Sequence, residues 1–490
     1  MSKSINIPVI DLFAGPGGLG EGFSSVLNSK KKRVYDIKLS IEKDKNAHET
    51  LELRGFFRQF DLNEIPKGYY DVLQEVNPKK RTALKQQLFK EFSNEYEEAK
   101  SEAWQAELGS KKFPSKMVDD RIKAGLNGAK EWVLIGGPPC QAFSLVGRSR
   151  VGGIDNDDHR VYLYKEYLRI IAQHHPSVFV MENVKGLLSA KVNGEKVFSK
   201  ILGDLQEPAS VFKESKSPKY KVYSLTTKTD EIDVFGNPHF KNDRDFLIKA
   251  EKYGVPQRRH RIILLGVRED IQIEPETLIE TEKEVNLSEV IGDLPKIRSG
   301  INRAYLSSTI VDGKKKRKYL NLKDSKEKWE ELVNNLREEI ISWNGFAKNY
   351  SNKKIQPPTE DLGAEFVKCQ TPVPTNPLFE WYQDAELGGA CNHQSRSHLV
   401  EDLKRYMFSS MFTKTYKRFP KLQEFKAHSD DLLPDHKNVA SGKFVDRFRV
   451  QLPDRPATTV TSHISKDGHY FIHYDSEQCR SLMVKEAARM

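Results

Sequence analysis

Cysteine is scarce, with four residues in a chain of 490. That is too few for a disulfide framework and points to a reducing cytosol. Long apolar runs are also missing. No stretch approaches the roughly 18–20 residues that span a bilayer. The apolar start, Ile7 to Phe13, is too short for the core of a signal peptide and no small-residue cleavage site follows it; it reads as a buried strand. There is no internal repeat, which excludes a solenoid, and no long low-complexity segment. The absences leave a soluble globular chain with no membrane partner, expected in the cytoplasm.

What the chain does have is positive charge. Its formal net charge is +10 and its pI about 9.0. That suits a polyanionic partner such as nucleic acid, although basic charge alone does not single one out. The length allows two to four domains.

The first elements alternate strand and helix. Ile7 to Phe13 reads as a strand, the glycine-rich AGPGGLGEGF as a turn opening a helix, Val34 to Ile41 as a second strand ending at Glu42, and Asn46 to Leu53 as a helix. This rhythm predicts an α/β fold, a doubly wound and mostly parallel sheet with helices on both faces. Between about 63 and 130 the rhythm breaks. Leu84, Leu88, Phe92, Tyr96, Ala99 and Ala103 recur mostly every four residues, predicting an amphipathic helix packed on the flank. Strands resume at Trp132 to Ile135, Ser177 to Met181 and Ile262 to Gly266. Beyond about 270 the composition turns irregular and basic. The expected domains are 1–270 for the sheet, an irregular α+β domain at 271–445, and a return to the first domain at 446–490.

Four places carry chemistry. Gly15, Gly17 and Gly20 fit GxGxxG after a strand, and Glu42 ends the next one. Such a loop serves a dinucleotide, its acid taking the ribose hydroxyls. It equally serves S-adenosylmethionine, or no ligand at all. GGPPCQAFS, residues 136–144, places Cys140 at a strand C-terminus, where ligands bind in such sheets. That thiol is either a nucleophile favoured by nearby N–H groups and basic side chains or a buried space-filler. The next strand ends in Glu182, at the same sheet edge, or else an exposed acid capping a helix. In Gln257-Arg258-Arg259-His260-Arg261 a strand would aim Arg259 and Arg261 the same way, at anionic or carbonyl oxygens or merely into solvent.

The ordered blocks resemble the DNA (cytosine-5) methyltransferase family: DLFAGPGG at 11–18, GGPPCQAFS at 136–144, ENVKG at 182–186, QRRHR at 257–261 and RPATTV at 455–460. Asp158-His159-Arg160 resembles the family's DxR block and Phe60-Asp61 its third cofactor strand. The resemblance implies S-adenosylmethionine as cofactor. Phe13 would stack on its adenine, Gly15, Gly17 and Gly18 would form its loop, Glu42 would take the ribose and Asp61 the adenine amino group. It implies Cys140 attacking cytosine C6, Glu182 holding the N3 and amino edge, and Arg261, helped by Arg259, binding O2, all on a base flipped out of duplex DNA. Residues 271–445 would be the target recognition domain, with Lys314 to Lys318 as a backbone contact or a solvated loop. Arg396, His398, Lys404 and Arg405 are weaker candidates. Cys369, Cys391, His393 and His398 lack the spacing of a zinc site, so no metal is expected.

Further expectations follow from the same resemblance. A restriction–modification system with a cognate endonuclease is the expected setting, at the nucleoid. The family's GNAV-like last block has no counterpart after Arg480 to Met490. This reads as a truncated chain or one half of a split enzyme with a separate C-terminal fragment, binding S-adenosylmethionine weakly alone. The alternatives are an inactive DNA-binding fragment, an RNA cytosine-5 methyltransferase and, last, a nicotinamide dehydrogenase on the glycine loop.

Overall fold

The computed structural model of the chain describes residues 6–139, 159–192, 194–312, 314–343, 345–346, 350, 353–434, 447–466 and 468–490. Two compact units share it. One comprises Met1–Tyr69, Lys85–Lys249 and His260–Ile279, the other Tyr70–Leu84, Ala250–Arg259 and Glu280–Met490. Among the described residues no helix is long and apolar enough to cross a membrane.

The first unit is built on one sheet. Its strands are β1 (Ile7–Leu12), β2 (Tyr35–Glu42), β3 (Ala103–Gln105), β4 (Val133–Gly136), β5 (Val178–Val184), β6 (Tyr220–Tyr223), β7 (Leu247–Lys249) and β8 (His260–Arg268). Their order is β3-β2-β1-β4-β5-β8-β6, with β7 also pairing β8. The first five run parallel. β8 runs antiparallel to its neighbours. The fold is therefore the α/β sheet the sequence predicts, mostly parallel with an antiparallel edge.

Alternation along the strands loads both faces. Val9, Ile37, Val133 and Ile135 pack on one side with Leu19 and Phe23 of helix α1 (Gly18–Ser24). Ile10, Leu12, Leu39 and Leu134 pack on the other with Ile122 of α6 (Ser115–Leu126) and Leu168 of α7 (His159–His174), in a core that also takes in Ile201 of α8 (Val197–Gln206). The register shifts between Val9 and Ile10, which pair with Ile37 and Leu39. That irregularity is why two odd-numbered β2 residues face opposite sides. Strands buried on both faces must be apolar throughout, which explains the continuous runs.

The insertion is helical but not one helix. It contains α3 (Lys67–Gln74), α4 (Pro78–Glu91) and α5 (Ser93–Glu102). The expected single helix breaks at Phe92, whose φ of −111° and ψ of 57° leave the helical region. Phe92 instead packs edge-on to Phe56 and Phe60, centroids 6.4 and 5.4 Å away. The aromatic cluster fastens α5 to α2 (Lys45–Arg58), which Asp44 caps through the Ala47 N–H at 2.9 Å. Ala103, read as the last helical position, opens β3.

Gly266 pairs with Phe179 across β8 and β5. A Cβ there would sit 2.0 Å from the phenyl ring. Gly266→Ala is expected to cost about 1–3 kcal/mol, the usual range for overpacking, as a lower urea midpoint. An unchanged midpoint would show that the ring simply turns away.

The second unit packs α9 (Lys326–Ser342) with α10 (Val400–Tyr416). Trp329, Val333, Ile340, Leu403, Met407, Phe408 and Met411 form its core. A ribbon of β9 (Gly300–Val311) and β10 (Lys314–Asn321) is antiparallel, and β13 (Ser397–Leu399) runs parallel to the base of β9. β11 (Gly363–Lys368) and β12 (Gly389–Gln394) form a separate antiparallel pair. The C-terminal helix α11 (Val484–Arg489) belongs here too. Its Glu486 accepts from Arg480 at 2.7 and 2.8 Å, with both residues almost fully buried.

Candidate active site

The glycine turn is set by backbone demands. After β1 the chain takes positive φ at Phe13 (56°), Gly15 (57°) and Gly17 (98°). Gly17 caps α1 in the left-handed region, and a Cβ there would lie 2.9 Å from Leu51. Only glycine meets both constraints. Around Gly15 and Gly18 an added Cβ would meet nothing within 4 Å, which leaves open space beside the turn. Glu42 at the end of β2 is held by the loops on either side. Its oxygens accept from the Gly15 N–H at 2.9 Å and the Asp44 N–H at 2.7 Å.

A cavity of about 100 Å³ lies against this turn, lined by Phe13, Ile41, Glu42, Glu107, Gly137 and Pro139 among others. The aromatic ring and the hydrogen-bonded carboxylate in its lining are groups that suit an adenosyl ligand. Asp61 does not line this cavity. Phe60-Asp61 is not a strand but follows α2, and Asp61 pairs with Lys32. The third strand is β3, and it is Ala106, Glu107 and Leu108, directly after it, that reach the cavity. This corrects the reading of Phe60-Asp61. The helical insertion displaces the strand some forty positions along the chain, beyond what a short motif reveals.

Glu182 and Arg261 come together. In the β5–β8 register Glu182 faces Ile263, so Arg261 is its diagonal neighbour on the same face. Nε of Arg261 lies 2.5 Å from Oε1 of Glu182, with both side chains partly exposed. The turn after β4 closes over the pair. A Cβ on Gly137 would lie 3.1 Å from Oε2 of Glu182, and one on Gly136 2.6 Å from the Leu12 carbonyl. Glycine is what lets the turn approach that closely. Asn183, buried beside Glu182, donates to the Pro138 carbonyl at 3.4 Å. Sequence reasoning passed over this residue, although it ties the segment leading to Cys140 to the strand carrying Glu182. Cys140 itself, with the rest of its block from Gln141 to Ser144, and Asp158 of the DxR block lie outside the described residues.

The strand alternation expected for Arg259 does not hold. Gln257–Arg258 pairs with Ala457–Thr458, and β8 begins only at His260. Arg259 therefore lies between strands and is exposed. In the second unit, Arg405 donates to the Leu432 and Leu433 carbonyls and to Asp402. Lys404 bonds Glu339 at 2.7 Å, and His398 is buried within hydrogen-bond reach of Ser481. These three candidates serve internal packing, contrary to expectation. Arg396 is half-buried.

Behind the glycine turn sits Asp11, fully buried, with no well-formed hydrogen bond to either carboxyl oxygen. Burial pushes its carboxyl up to about 8, against the pull of Arg58 and the Gly20 backbone and with the help of Glu102 and Glu42. The unfolded chain releases this proton near pH 4. Between the two values the folded state holds the extra proton, so this site's contribution to stability falls as pH rises from about 4 to about 8. Asp11→Asn cannot ionise. Its urea midpoint is expected to exceed the wild type by more at about pH 8.5 than at about pH 5.5. Equal differences at the two pH values would refute the assignment.

The site thus combines a doubly wound sheet, a glycine turn, a carboxylate fixed at the end of β2 and a Glu–Arg pair at the strand ends, an arrangement compatible with a methyltransferase. A family model for C-5 cytosine-specific DNA methylase matches residues 80–209 and 232–490. The chain belongs to the C-5 cytosine-specific DNA methylases. Type II methyltransferase M.Bpa9945I of Bacillus paralicheniformis is 29% identical over 501 residues, covering 98% of this chain and 90% of that protein. M.DdeI of Desulfomicrobium norvegicum is 32% identical over 298 residues, 60% of this chain and 49% of the relative. M.BspRI of Lysinibacillus sphaericus is 28% identical over 299 residues, 60% and 53% of the two chains. The chain thus spans about half the length of these last two. It is a DNA (cytosine-5-)-methyltransferase.

Proposed function

We propose that the chain methylates C5 of a flipped cytosine in a specific duplex DNA site, with S-adenosylmethionine held by Phe13, Glu42 and the Gly15–Gly18 turn. The observation that carries the residue roles is the Glu182–Arg261 pair beneath the Gly137-Pro138 turn that leads to Cys140. S-adenosylmethionine would supply an electrophilic methyl group, its sulfur leaving as the neutral thioether of S-adenosylhomocysteine. The Cys140 thiolate adds to C6 of the ring, which makes C5 nucleophilic. Negative charge grows on N3 and O2 as the thiolate adds. Glu182 holds the proton shared with N3, and Arg261 meets O2. After methylation a base removes the C5 proton, the electrons return to the ring and the thiolate leaves. A base stacked in the duplex offers no path for attack at C6, hence the flip. The setting we propose is a restriction–modification system, with a cognate endonuclease cutting the unmethylated site and the enzyme working in the cytoplasm at the nucleoid.

Covalent trapping tests this. Duplex DNA of mixed sequence carrying 5-fluorocytosine has no C5 proton to lose, so the adduct persists. The chain with S-adenosylmethionine should give a denaturation-resistant complex whose mass maps to the peptide containing Cys140. An adduct on another residue, or none on a duplex that the chain methylates, would overturn the mechanism.

A further inference from the structure

The β9–β10 ribbon is unlike the other described strands. Between Arg303 and Asn321 it carries six cations against one acid, Asp312. Its outer part buries almost nothing. Leu306 is 59% exposed, Ile310 78% and Leu320 49%. Lys315, Lys316, Arg317 and Lys318 are all exposed. The root is braced where Arg303 lies 4.5 Å over the Tyr319 ring and the Tyr305 N–H donates to Glu401 at 2.8 Å. A two-stranded ribbon is marginally stable by itself, and this one has little of its own unit to lean on beyond that root.

The cross-strand pairs suggest what it meets. Ser307 faces Lys318, Ser308 faces Arg317 and Thr309 faces Lys316. Short hydroxyls thus stand opposite long cations on both faces of the ribbon. A lysine-rich edge does discourage aggregation, but that need is met by one or two charges and does not call for hydroxyls beside them. Two strands lie about 4.8 Å apart, and a B-DNA major groove of about 12 Å admits such a ribbon. On the face that meets the floor, the short Ser307 and Thr309 hydroxyls can bond base edges while the longer Lys316 and Lys318 extend past them to the phosphate walls.

We propose that the β9–β10 ribbon enters the major groove of the substrate duplex, with Lys315 to Lys318 on the phosphates and Ser307 and Thr309, which share one face, against the bases. The proposal rests on the methyltransferase reading and adds the element that engages the target. The test replaces Lys315, Lys316, Arg317 and Lys318 together by alanine and measures duplex binding by fluorescence anisotropy across a salt series. Each lost phosphate contact removes about 0.9 from the slope of log affinity against log salt. The slope is expected to drop by about 2–4, with affinity at low salt falling at least about tenfold. S-adenosylmethionine affinity and the circular dichroism spectrum should not change. Separately, Ser307→Ala with Thr309→Val is expected to keep the salt slope while relaxing which duplex sequences are methylated. A wild-type chain that neither binds nor methylates duplex DNA overturns the methyltransferase reading and the ribbon's role with it. A wild type that does both, beside a fourfold variant with undiminished affinity and slope, overturns the ribbon's role alone.

Discussion

Glu182→Gln is expected to lower the single-turnover rate of methyl transfer by about 10²–10⁴-fold, the range of a general acid or base. Glutamine keeps the shape of the side chain and the space that Gly137 leaves for it. It cannot pass a proton to N3, and in the resting site it cannot balance the Arg261 charge. Thiolate addition would then push charge onto a ring nitrogen with nothing to offset it, while a guanidinium stays unbalanced at the same edge. The fold should be untouched, because Glu182 lies at the end of β5 and is partly exposed. Binding of S-adenosylmethionine should also survive, since the Glu42 contacts are separate. A variant that transfers methyl groups at the wild-type rate would remove Glu182 from the chemistry.

The second large effect is on stability. Glu486→Ala should cost about 3–5 kcal/mol, because it strands a buried cation. Arg480 is 2% exposed and spends both terminal nitrogens on the two Glu486 oxygens. Its other donations go to Gln478 and to the Ile297 and Ser481 carbonyls. Glu486 also takes the Met483 N–H at 3.0 Å at the start of α11. Burial pushes the Glu486 carboxyl up, yet Arg480 overrides it and holds the group well below the usual carboxylate range. With the folded value depressed, this contribution is complete above about pH 4.5 and fades only as pH falls below it. The melting temperature at neutral pH should drop by on the order of 10 °C. A drop of less than about 2 °C would mean that water or a neighbouring acid reaches Arg480 at little cost.

The strands buried on both faces were legible because their apolar runs are continuous and each ends in a turn signal. β3 was not, since three residues after a helical insertion carry almost no periodic signal. That is why Asp61 is expected at a cavity that Glu107 and Leu108 line instead. Glu182 and Arg261 were legible as candidates, but their pairing was not. It depends on the antiparallel register of β5 and β8, a long-range choice that neither strand reveals locally. Arg259 shows the opposite error, where alternation was extended across a break in the strand. Asn183 was hidden in plain view within ENVKG, because its task, bonding the Pro138 carbonyl, exists only once β4 and β5 are adjacent. Lys404, Arg405 and His398 drew notice as polar groups near a helix, but polarity does not distinguish a surface cation from one holding loops together.

The exposed outer half of the β9–β10 ribbon also separates two kinds of selection. Residues such as Phe179, Gly266 and Glu486 can hardly vary, because each substitution there is paid in folding free energy. Changes at Ser307, Thr309 or Ile310 touch almost nothing inside the protein, and surface substitutions of this sort usually stay within about 0.5 kcal/mol. A lineage can therefore sample sequences along this ribbon without first acquiring compensating mutations elsewhere. Drift there is cheap, and what it alters is the outward-facing chemistry rather than the scaffold.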